Sequence, residues 1–308
     1  MNQSPLVSVI IPAYNSAEWI EECLESVKKQ SYQNIEAILV DDGSEDNTSE
    51  KAAAFDLNLT LIKQANMGRA KARNVGMEKA SGKYIAFLDA DDMFTQKSVE
   101  KKVEFLEDNP EIGWVFTDAV EFDENGSEKL FLDQFPWLDI EKDQFIQLLN
   151  KCYPLTSSVM AKSELLKKLG GFNPKLRYAE DLELFMRMSL ISNAGMIKEP
   201  LTRRRLHQAQ AVKSTFDRWD SRVRIFSSFE PQIVSLSEEQ QNALTKALSH
   251  ASFKLGEYYW EIYDFRKSRQ YFKRSRGNYD WNKSAGRYIA LSFLPKFIIK
   301  TMRNLKNH

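Results

Sequence analysis

Three carboxylates lie within four residues of the segment AFLDADDM, at Asp89, Asp91 and Asp92. They follow an apolar run directly, and their mutual repulsion costs stability unless a cation or a hydrogen-bonding partner offsets it. Hard cations such as Mg²⁺ bind carboxylate oxygens and keep coordination positions for substrate phosphates. The cluster therefore predicts a divalent metal ion that carries a diphosphate.

Two glycine-rich phosphate-binding motifs are absent from the sequence. No G-x-G-x-x-G follows the first apolar run, and no G-x-x-x-x-G-K-[ST] occurs in the chain. A dinucleotide site of the Rossmann type therefore has no fingerprint, and a P-loop is excluded. We expect a bound phosphate to be neutralised by the metal ion rather than by a glycine cradle.

Polar residues also follow the first two apolar runs of the chain. Tyr14 and Asn15 follow the first run, and Asp41, Asp42 and Ser44 follow the second. In an open α/β sheet, ligands bind beyond the carboxyl ends of the strands. A single Asp or Asn at a strand end often makes only a turn or a helix cap. Three such sites at one sheet edge favour a ligand-binding site instead.

The apolar pattern predicts the elements that carry these residues. Short β-branched runs alternate with helical segments, which indicates βαβ units and a mostly parallel sheet covered on both faces. Asn15 and Asn47, each with a glutamate three residues later, are predicted to cap the first two helices. Strands are predicted at 6–15, 35–44, 59–64 and 83–92, and helices at 15–30, 47–55, 67–81 and 95–108.

After residue 110 the regular alternation of predicted strands and helices ends. Strands are predicted at 113–123 and 194–207, a strand followed by a helix within 156–172, and helices at 142–151 and 178–190. From about residue 214 the pattern is helical. Leu255, Gly256, Tyr259 and Phe272 match the spacing of a tetratricopeptide repeat. A single repeat leaves its faces uncovered, so a helical appendage packed on the catalytic domain is the alternative.

Length, composition and charge limit the class of protein. With 308 residues, 43% of them apolar, the chain suits one large domain or one domain with an appendage. It has no run of ~18 apolar residues, no basic segment typical of a signal peptide, and only two cysteines. These features predict a cytosolic protein. Residues 1–150 carry a net charge of −15 and residues 151–308 one of +15, so the second half is suited to phosphates or an anionic membrane.

Five ordered motifs give the chain a resemblance to a known family. VSVIIPAYN, LVDDGSEDNT, NMGRAKARNVG, FLDADD and YAEDLELFMR have the order and spacing of glycosyltransferase family 2, and residues 6–215 resemble it. The resemblance implies a GT-A fold and an inverting, metal-dependent transferase that uses a nucleotide sugar. It divides the domain 1–215 into a nucleotide-sugar-binding half, 1–120, and an acceptor half, 121–215. Residues 216–308 would form an all-helical C-terminal appendage.

The resemblance also implies a metal site and a catalytic pair. Asp89 and Asp91 match a D-x-D motif, in which Asp91 binds Mg²⁺ or Mn²⁺ directly and Asp89 reaches the ribose, the sugar or the metal. His207 would be a further metal or phosphate ligand. Glu180 and Asp181 match an ED motif. Inversion needs one general base, and we assign Asp181 to that role and Glu180 to orienting the acceptor.

A second group of residues is implied to bind the nucleotide-sugar donor. Asp42 would read the base, because a carboxylate accepts from the imide N–H of uracil, and Asp92 would position the donor or cap the following helix. One or more of three consecutive arginines, Arg203, Arg204 and Arg205, would contact the diphosphate. The remaining predicted donor-binding residues are Pro12, Tyr14, Asn15, Ser44, Asn66, Arg69 and Arg73.

The predicted function is transfer of a hexosyl or N-acetylhexosaminyl group, most simply from a UDP-sugar, to a hydroxyl of a glycan or lipid-linked acceptor. Surface polysaccharide or glycoconjugate synthesis would use such a reaction, and no nucleic-acid partner is expected. A nucleotidyltransferase is an alternative, although its usual glycine-rich phosphate loop is missing. An inactive nucleotide-sugar-binding scaffold is another.

The C-terminal segment 294–308 carries a further prediction. An apolar stripe of Ile298, Met302 and Leu305 lies opposite three cations on one helical wheel. Such a helix is suited to peripheral contact with an anionic membrane on the inner face of the cell membrane. The alternative is that the stripe packs on the preceding helices.

Overall fold

Nine strands form one sheet in the computed structural model, which describes residues 4–207, 214–275, 277, 279–294 and 298–299. Along the sheet the order is β3, β2, β1, β4, β8, β6, β9 and β5, with β7 paired to β6. The strands are β1 (Val7–Ala13), β2 (Ile35–Asp41), β3 (Leu59–Lys63), β4 (Tyr84–Phe87), β5 (Met93–Phe94), β6 (Ile112–Asp123), β7 (Glu128–Leu130), β8 (Met160–Lys162) and β9 (Asn193–Leu206).

The first four strands of this order, β3, β2, β1 and β4, are parallel to one another. The antiparallel pairings among the described residues all involve a strand that follows β4 in the chain. The predicted α/β fold with a mostly parallel central sheet is confirmed. Seven helices accompany the sheet, namely α1 (Ile20–Lys28), α2 (Thr48–Ala54), α3 (Arg69–Lys79), α4 (Ser98–Asp108), α5 (Gln144–Asn150), α6 (Ser163–Leu169) and α7 (Glu180–Ser189).

The β-branched residues of the predicted strands form the hydrophobic core of the sheet. Val9 and Ile11 on β1 are fully buried in one cluster with Leu24 of α1 and Val99 of α4. On helix α3, Gly76 allows a close approach to the sheet, because a Cβ built there would lie 2.5 Å from Cγ2 of Ile10. This packing fixes α3 against β1 and so fixes the arginines that α3 carries.

The predicted caps of the first two helices were wrong. Helix α1 begins at Ile20 rather than after Asn15, and Asn47 precedes α2 without a side-chain cap bond. Asn15 adopts a left-handed conformation, with φ of 48°, and its Oδ1 accepts from the Glu45 amide at 2.8 Å. Its side chain is therefore committed to the loop after β2. The predicted strands also end early, since the acidic segments leave the hydrogen-bonded ladder.

The chain separates into two compact units, Met1–Gln210 and Ala211–His308. The second unit is helical, as predicted. Its helices are α8 (Thr215–Ser228), α9 (Glu238–Glu261), α10 (Phe265–Arg274) and α11 (Trp281–Leu291). Helices α9 and α10 meet where Gly256 faces the Phe272 ring, and Phe272 stacks on Tyr288 at 5.0 Å.

Two predictions from the sequence concern membranes. In the part of the chain that the structure describes, no helix has both the length and the apolar content needed to cross a bilayer. The predicted stripe within 294–308 lies outside the described residues apart from residues 294, 298 and 299.

Candidate functional site

The acidic segments meet at one edge of the sheet. Strands β1, β2 and β4 are adjacent and parallel, so the residues that follow them emerge on the same side. Asp41 ends β2, and the loop 88–92 directly follows β4. The sequence-based expectation of a polar cluster at this edge is therefore met in the geometry.

Asp89, Asp91 and Asp92 each place a carboxylate oxygen within 4.8 Å of the others. The three carboxylates have different hydrogen-bond and ion-pair partners. Asp89 Oδ1 accepts from Arg73 Nη2 at 2.6 Å, and Asp91 Oδ2 lies 3.0 Å from His207 Nε2. The three acids are therefore not equivalent metal ligands.

Asp92 anchors the loop 88–92, here called the acidic loop, to neighbouring segments. It is 3% exposed, and its oxygens accept from Ser157 Oγ at 2.6 Å and from the Arg205 amide at 3.1 Å. Burial raises the pKa of Asp92 well above its usual value, and the neighbouring charges of Asp91 and Asp89 raise it further. The alternative prediction that Asp92 caps the following helix was wrong, because its carboxylate faces Ser157 and β9.

Ser157 is a residue of this site that the sequence did not single out. Its hydroxyl donates to Asp92 and accepts from the Asp89 amide at 3.1 Å. It is fully buried in the short helical turn Thr156–Ser158, far from the acids in sequence. The segment TSS around it carries no pattern that would have identified it.

Arg73 joins the acidic loop to the predicted catalytic pair. Its Nη1 donates to Glu180 Oε1 at 2.8 Å while Nη2 holds Asp89, and its guanidinium lies 5.1 Å from the Phe172 ring. Burial alone would lower the pKa of Arg73, but Asp89 and Glu180 outweigh it and raise the pKa. Burial would likewise raise the pKa of Asp89, yet Arg73 outweighs burial and lowers it. With 1% of its surface exposed, Arg73 acts through these carboxylates.

Glu180 and Asp181 open helix α7 but occupy different environments. The preceding residue, Ala179, adopts a left-handed conformation with φ of 59°, which is uncommon for a residue with a side chain. Glu180 is 2% exposed and bonded to Arg73, with Arg69 Nε 3.3 Å away. Asp181 is half-buried and has no ion-pair partner among the described residues. Of the two carboxylates, only that of Asp181 is partly exposed and outside an ion pair in the described residues, and its Oδ1 accepts from the Leu182 backbone amide at 2.8 Å.

Asp42 organises the loop that follows β3. Its oxygens accept from the Met67 amide at 2.9 Å, the Gly68 amide at 2.8 Å and Gln64 Nε2 at 2.6 Å, and it is 4% exposed. Gly43 beside it has φ of 80°, and a Cβ there would lie 2.8 Å from the Asn66 amide nitrogen. The proposed contact of Asp42 with a base stays a prediction.

The other predicted donor-binding residues lie in β1, in the loops that follow β1, β2 and β3, and at the start of α3. The backbone amide of Asn15 donates to Ser44 Oγ at 3.0 Å, and this bond joins the loops after β1 and β2. Tyr14 is 47% exposed, and Met67, which the sequence did not single out, is 60% exposed. Asn66 and Arg69 are also exposed, and Pro12 is half-buried in β1. Their donor contacts stay predictions.

The three arginines at the end of β9 are paired with carboxylates. Arg203 lies 2.6 Å from Glu128, Arg204 2.7 Å from Glu121 and Arg205 2.5 Å from Glu22. These pairings do not support the predicted contact with a diphosphate. The three pairs join the end of β9, which directly precedes His207, to carboxylates of other segments.

The donor set at the acidic loop fits a divalent cation. Asp89 and Asp91 offer carboxylate oxygens within 4.8 Å of each other, and the imidazole of His207 lies beside Asp91, 3.0 Å from its Oδ2. Mg²⁺ and Mn²⁺ accept such ligands. The ring nitrogen that faces Asp91 is therefore the one that would bind the metal.

Comparison with known sequences points to one family. A family model described as glycosyl transferase family 2 matches residues 8–170. An uncharacterized glycosyltransferase of Rickettsia prowazekii is 30% identical over 240 residues, which is 73% of this chain and 72% of the relative. The glycosyltransferase GlyG of Streptococcus pneumoniae is 45% identical over 101 residues, or 32% of this chain and 34% of GlyG.

Comparison with solved structures shows the same fold. Residues 1–349 of S. aureus TarS in complex with UDP-GlcNAc match with a TM-score of 0.67 and 20% identity over 88% of this chain and 82% of that chain. The mannosyltransferase PcManGT from Pyrobaculum calidifontis, in complex with GDP-Man and Mn²⁺, matches with a TM-score of 0.59 and 19% identity over 98% of this chain and 84% of that chain. The expected GT-A fold is thereby confirmed.

Proposed function

Because the chain belongs to glycosyltransferase family 2 and is a glycosyltransferase, we propose that it transfers a hexosyl or N-acetylhexosaminyl group with inversion. The donor we propose is a UDP-sugar, and the acceptor a hydroxyl of a glycan or lipid-linked glycan. The UDP-GlcNAc complex of the TarS neighbour supports a uridine donor. The GDP-Man complex of the mannosyltransferase makes a guanosine donor the main alternative.

The observation that carries the proposal is the different bonding of Glu180 and Asp181. Glu180 is buried and paired with Arg73 and Arg69, so its carboxylate is out of reach of an acceptor hydroxyl. Asp181, without an ion-pair partner in the described residues, takes the proton from the acceptor hydroxyl. Glu180 fixes the first turn of α7 and thereby orients Asp181.

In this proposal Asp91, His207 and Asp89 would hold the metal ion. A bound Mg²⁺ or Mn²⁺ would offset the charge that develops on the leaving nucleotide diphosphate. Asp92 and Ser157 keep the acidic loop in place while the donor binds. Asp42 holds the loop 64–68, on which Met67 and Asn66 are exposed toward a nucleotide.

We also propose a cellular setting for the reaction. The chain has only two cysteines, and the buried Cys23 has a free thiol, which is consistent with a reducing cytoplasm. The excess of basic residues after residue 150 suits peripheral contact with the inner face of the cell membrane, where a lipid-linked acceptor would lie. Synthesis of a surface polysaccharide or glycoconjugate is the role that joins these features.

A donor panel with two variants tests the proposal. Purified protein is incubated with Mn²⁺ and UDP- or GDP-sugars, and binding and nucleotide release are measured. We expect one donor to be preferred, and Asp181→Asn to bind it normally while release falls about 10²–10⁴-fold. Glu238→Gln is the matched control, because Glu238 is an acid in the first turn of α9. Donor binding without turnover by the wild type would favour the inactive scaffold.

A further inference from the structure

The His207 ring lacks the contact that usually orients a metal-binding histidine. Such a ligand generally donates its second ring nitrogen to a carboxylate, a carbonyl or a water, which fixes the ring and its tautomer. In this chain Nε2 faces Asp91 at 3.0 Å, while Nδ1 is buried and has no hydrogen-bond partner among the described residues. Another group has to hold the plane of the ring.

The indole of Trp19 is in the position to do this. The ring centroids of Trp19 and His207 are 4.0 Å apart, with the planes inclined by 36°. Contacts between aromatic rings are attractive, and their strength depends on the relative orientation of the rings. The contact restricts rotation of the imidazole about its side chain and leaves the Nε2 edge directed at Asp91.

The backbone that carries Trp19 is itself well fixed. The Trp19 amide donates to the Ser16 carbonyl at 3.0 Å, and the Trp19 carbonyl accepts from the Cys23 amide at 3.1 Å. The next residue, Ile20, is fully buried. The indole therefore projects from a fixed backbone at the residue that precedes α1, whereas His207 follows the last residue of β9.

We propose that Trp19 is a positioning residue for the metal site, and that its ring replaces the hydrogen bond that His207 Nδ1 lacks. The inference rests on the proposed metal-dependent function, since it requires His207 to be a ligand. Trp19 itself contacts neither metal nor donor in this role. It sets the affinity of the site by holding the imidazole in the binding orientation before the ion arrives.

The test is Mn²⁺ binding in the absence of donor, measured as free Mn²⁺ by electron paramagnetic resonance on the full-length protein. We expect Trp19→Leu to weaken Mn²⁺ binding about 10-fold, the scale seen when a group that orients a metal ligand is lost. Trp19→Phe keeps an aromatic face and should retain most of the affinity. Trp137→Leu, which removes a 40% exposed tryptophan packed against Phe135 and Tyr153, is the control and should bind normally.

A double variant separates positioning from a general structural effect. In a His207→Ala background, Trp19→Leu should cause no further loss of Mn²⁺ affinity, because the ring it positions is gone. An equal loss in both backgrounds, or wild-type affinity in Trp19→Leu, would overturn the inference. Absence of Mn²⁺ binding by the wild type would overturn the proposed metal site and this inference with it.

Discussion

Arg73 and Glu180 form an ion pair that is almost completely withdrawn from solvent, with side-chain exposures of 2% and 3% and an N–O distance of 2.8 Å. The two residues are 107 positions apart. Arg73 stands on α3, which follows β3, and Glu180 opens α7. Because the same guanidinium also holds Asp89, the acid of the proposed metal site and the helix of the proposed base share one cation.

This arrangement predicts a large loss of stability when Arg73 is removed. Arg73→Met leaves two carboxylates without their buried partner, and breaking such a pair typically costs ~3–5 kcal/mol. Urea denaturation measures the loss. Arg224→Met is the control, since its pair with Asp220 is exposed on the arginine side and should contribute under ~1 kcal/mol. Equal losses in the two variants would contradict the bridging role.

The metal site gives a second prediction. Asp91→Asn removes one negative charge and a ligand, so Mn²⁺ binding and sugar transfer should fall together while the fold persists. Relief of the repulsion from Asp89 and Asp92 should leave the free energy of unfolding unchanged or slightly higher. Calorimetric Mn²⁺ titration and denaturation check both points. Full turnover by the variant, or by wild type in excess chelator, would rule out the metal-dependent mechanism.

Ser157 provides a third prediction with a matched neighbour. Ser157→Ala leaves the buried Asp92 carboxylate and the Asp89 amide each short of a partner, which should cost ~1–3 kcal/mol. Ser158 is equally buried, but its hydroxyl donates to the Leu155 carbonyl, which also accepts from the Ser158 amide. Ser158→Ala should therefore cost less. Donor affinity should fall only in Ser157→Ala, and equal behaviour of the two would argue against a loop-fastening role.

The sequence was informative where function depends on short-range pattern. The β-branched runs located the parallel strands, and the acids at their ends located the sheet edge that forms the site. The predictions from sequence were wrong where a side chain binds a residue that is distant in the chain rather than a neighbouring one. Asn15 had the spacing of a helix cap, yet its amide oxygen bonds the Glu45 amide across the edge. A capping rule uses only the residues next to the helix end, so it takes no account of a hydrogen-bond partner from a distant segment.

The residues that the sequence missed share the same cause. Ser157 reaches Asp92 over 65 positions, and Trp19 contacts His207 over a still longer separation. Neither belongs to a motif, and each is defined by what the fold brings beside it. Arg73 was predicted at the site from its motif, but its burial between two carboxylates required the packing of α3 against β1.

A buried amine outside the site gives the last prediction. Lys102 on α4 is fully buried, and its Nζ has no hydrogen-bond partner among the described residues, only the Phe94 ring 4.5 Å away. Desolvation lowers the pKa of Lys102 to about 7. An unfolded lysine titrates near ~10.4, so between these values the unfolded chain binds more protons than the folded chain. The stability of the wild type should therefore rise as the pH increases from about 7 toward ~10.

Lys102→Met removes this cost while keeping the volume and apolar character of the stem. Below pH 7 the lysine is charged in both states and the penalty is fully present, so there the variant should be more stable by a few kcal/mol, on the order of 1.4 kcal/mol for each unit of displaced pKa. The advantage should shrink steadily above pH 7, because the wild-type amine is then buried in its neutral form. Urea denaturation at pH 6, 8 and 9.5 measures the trend. Lys101→Met is the control, because Lys101 is partly exposed and paired with Glu199. Its difference in stability from the wild type should be small and should not change over this pH range. A difference between Lys102→Met and wild type that stays constant over the three pH values would mean that the buried amine is not what titrates.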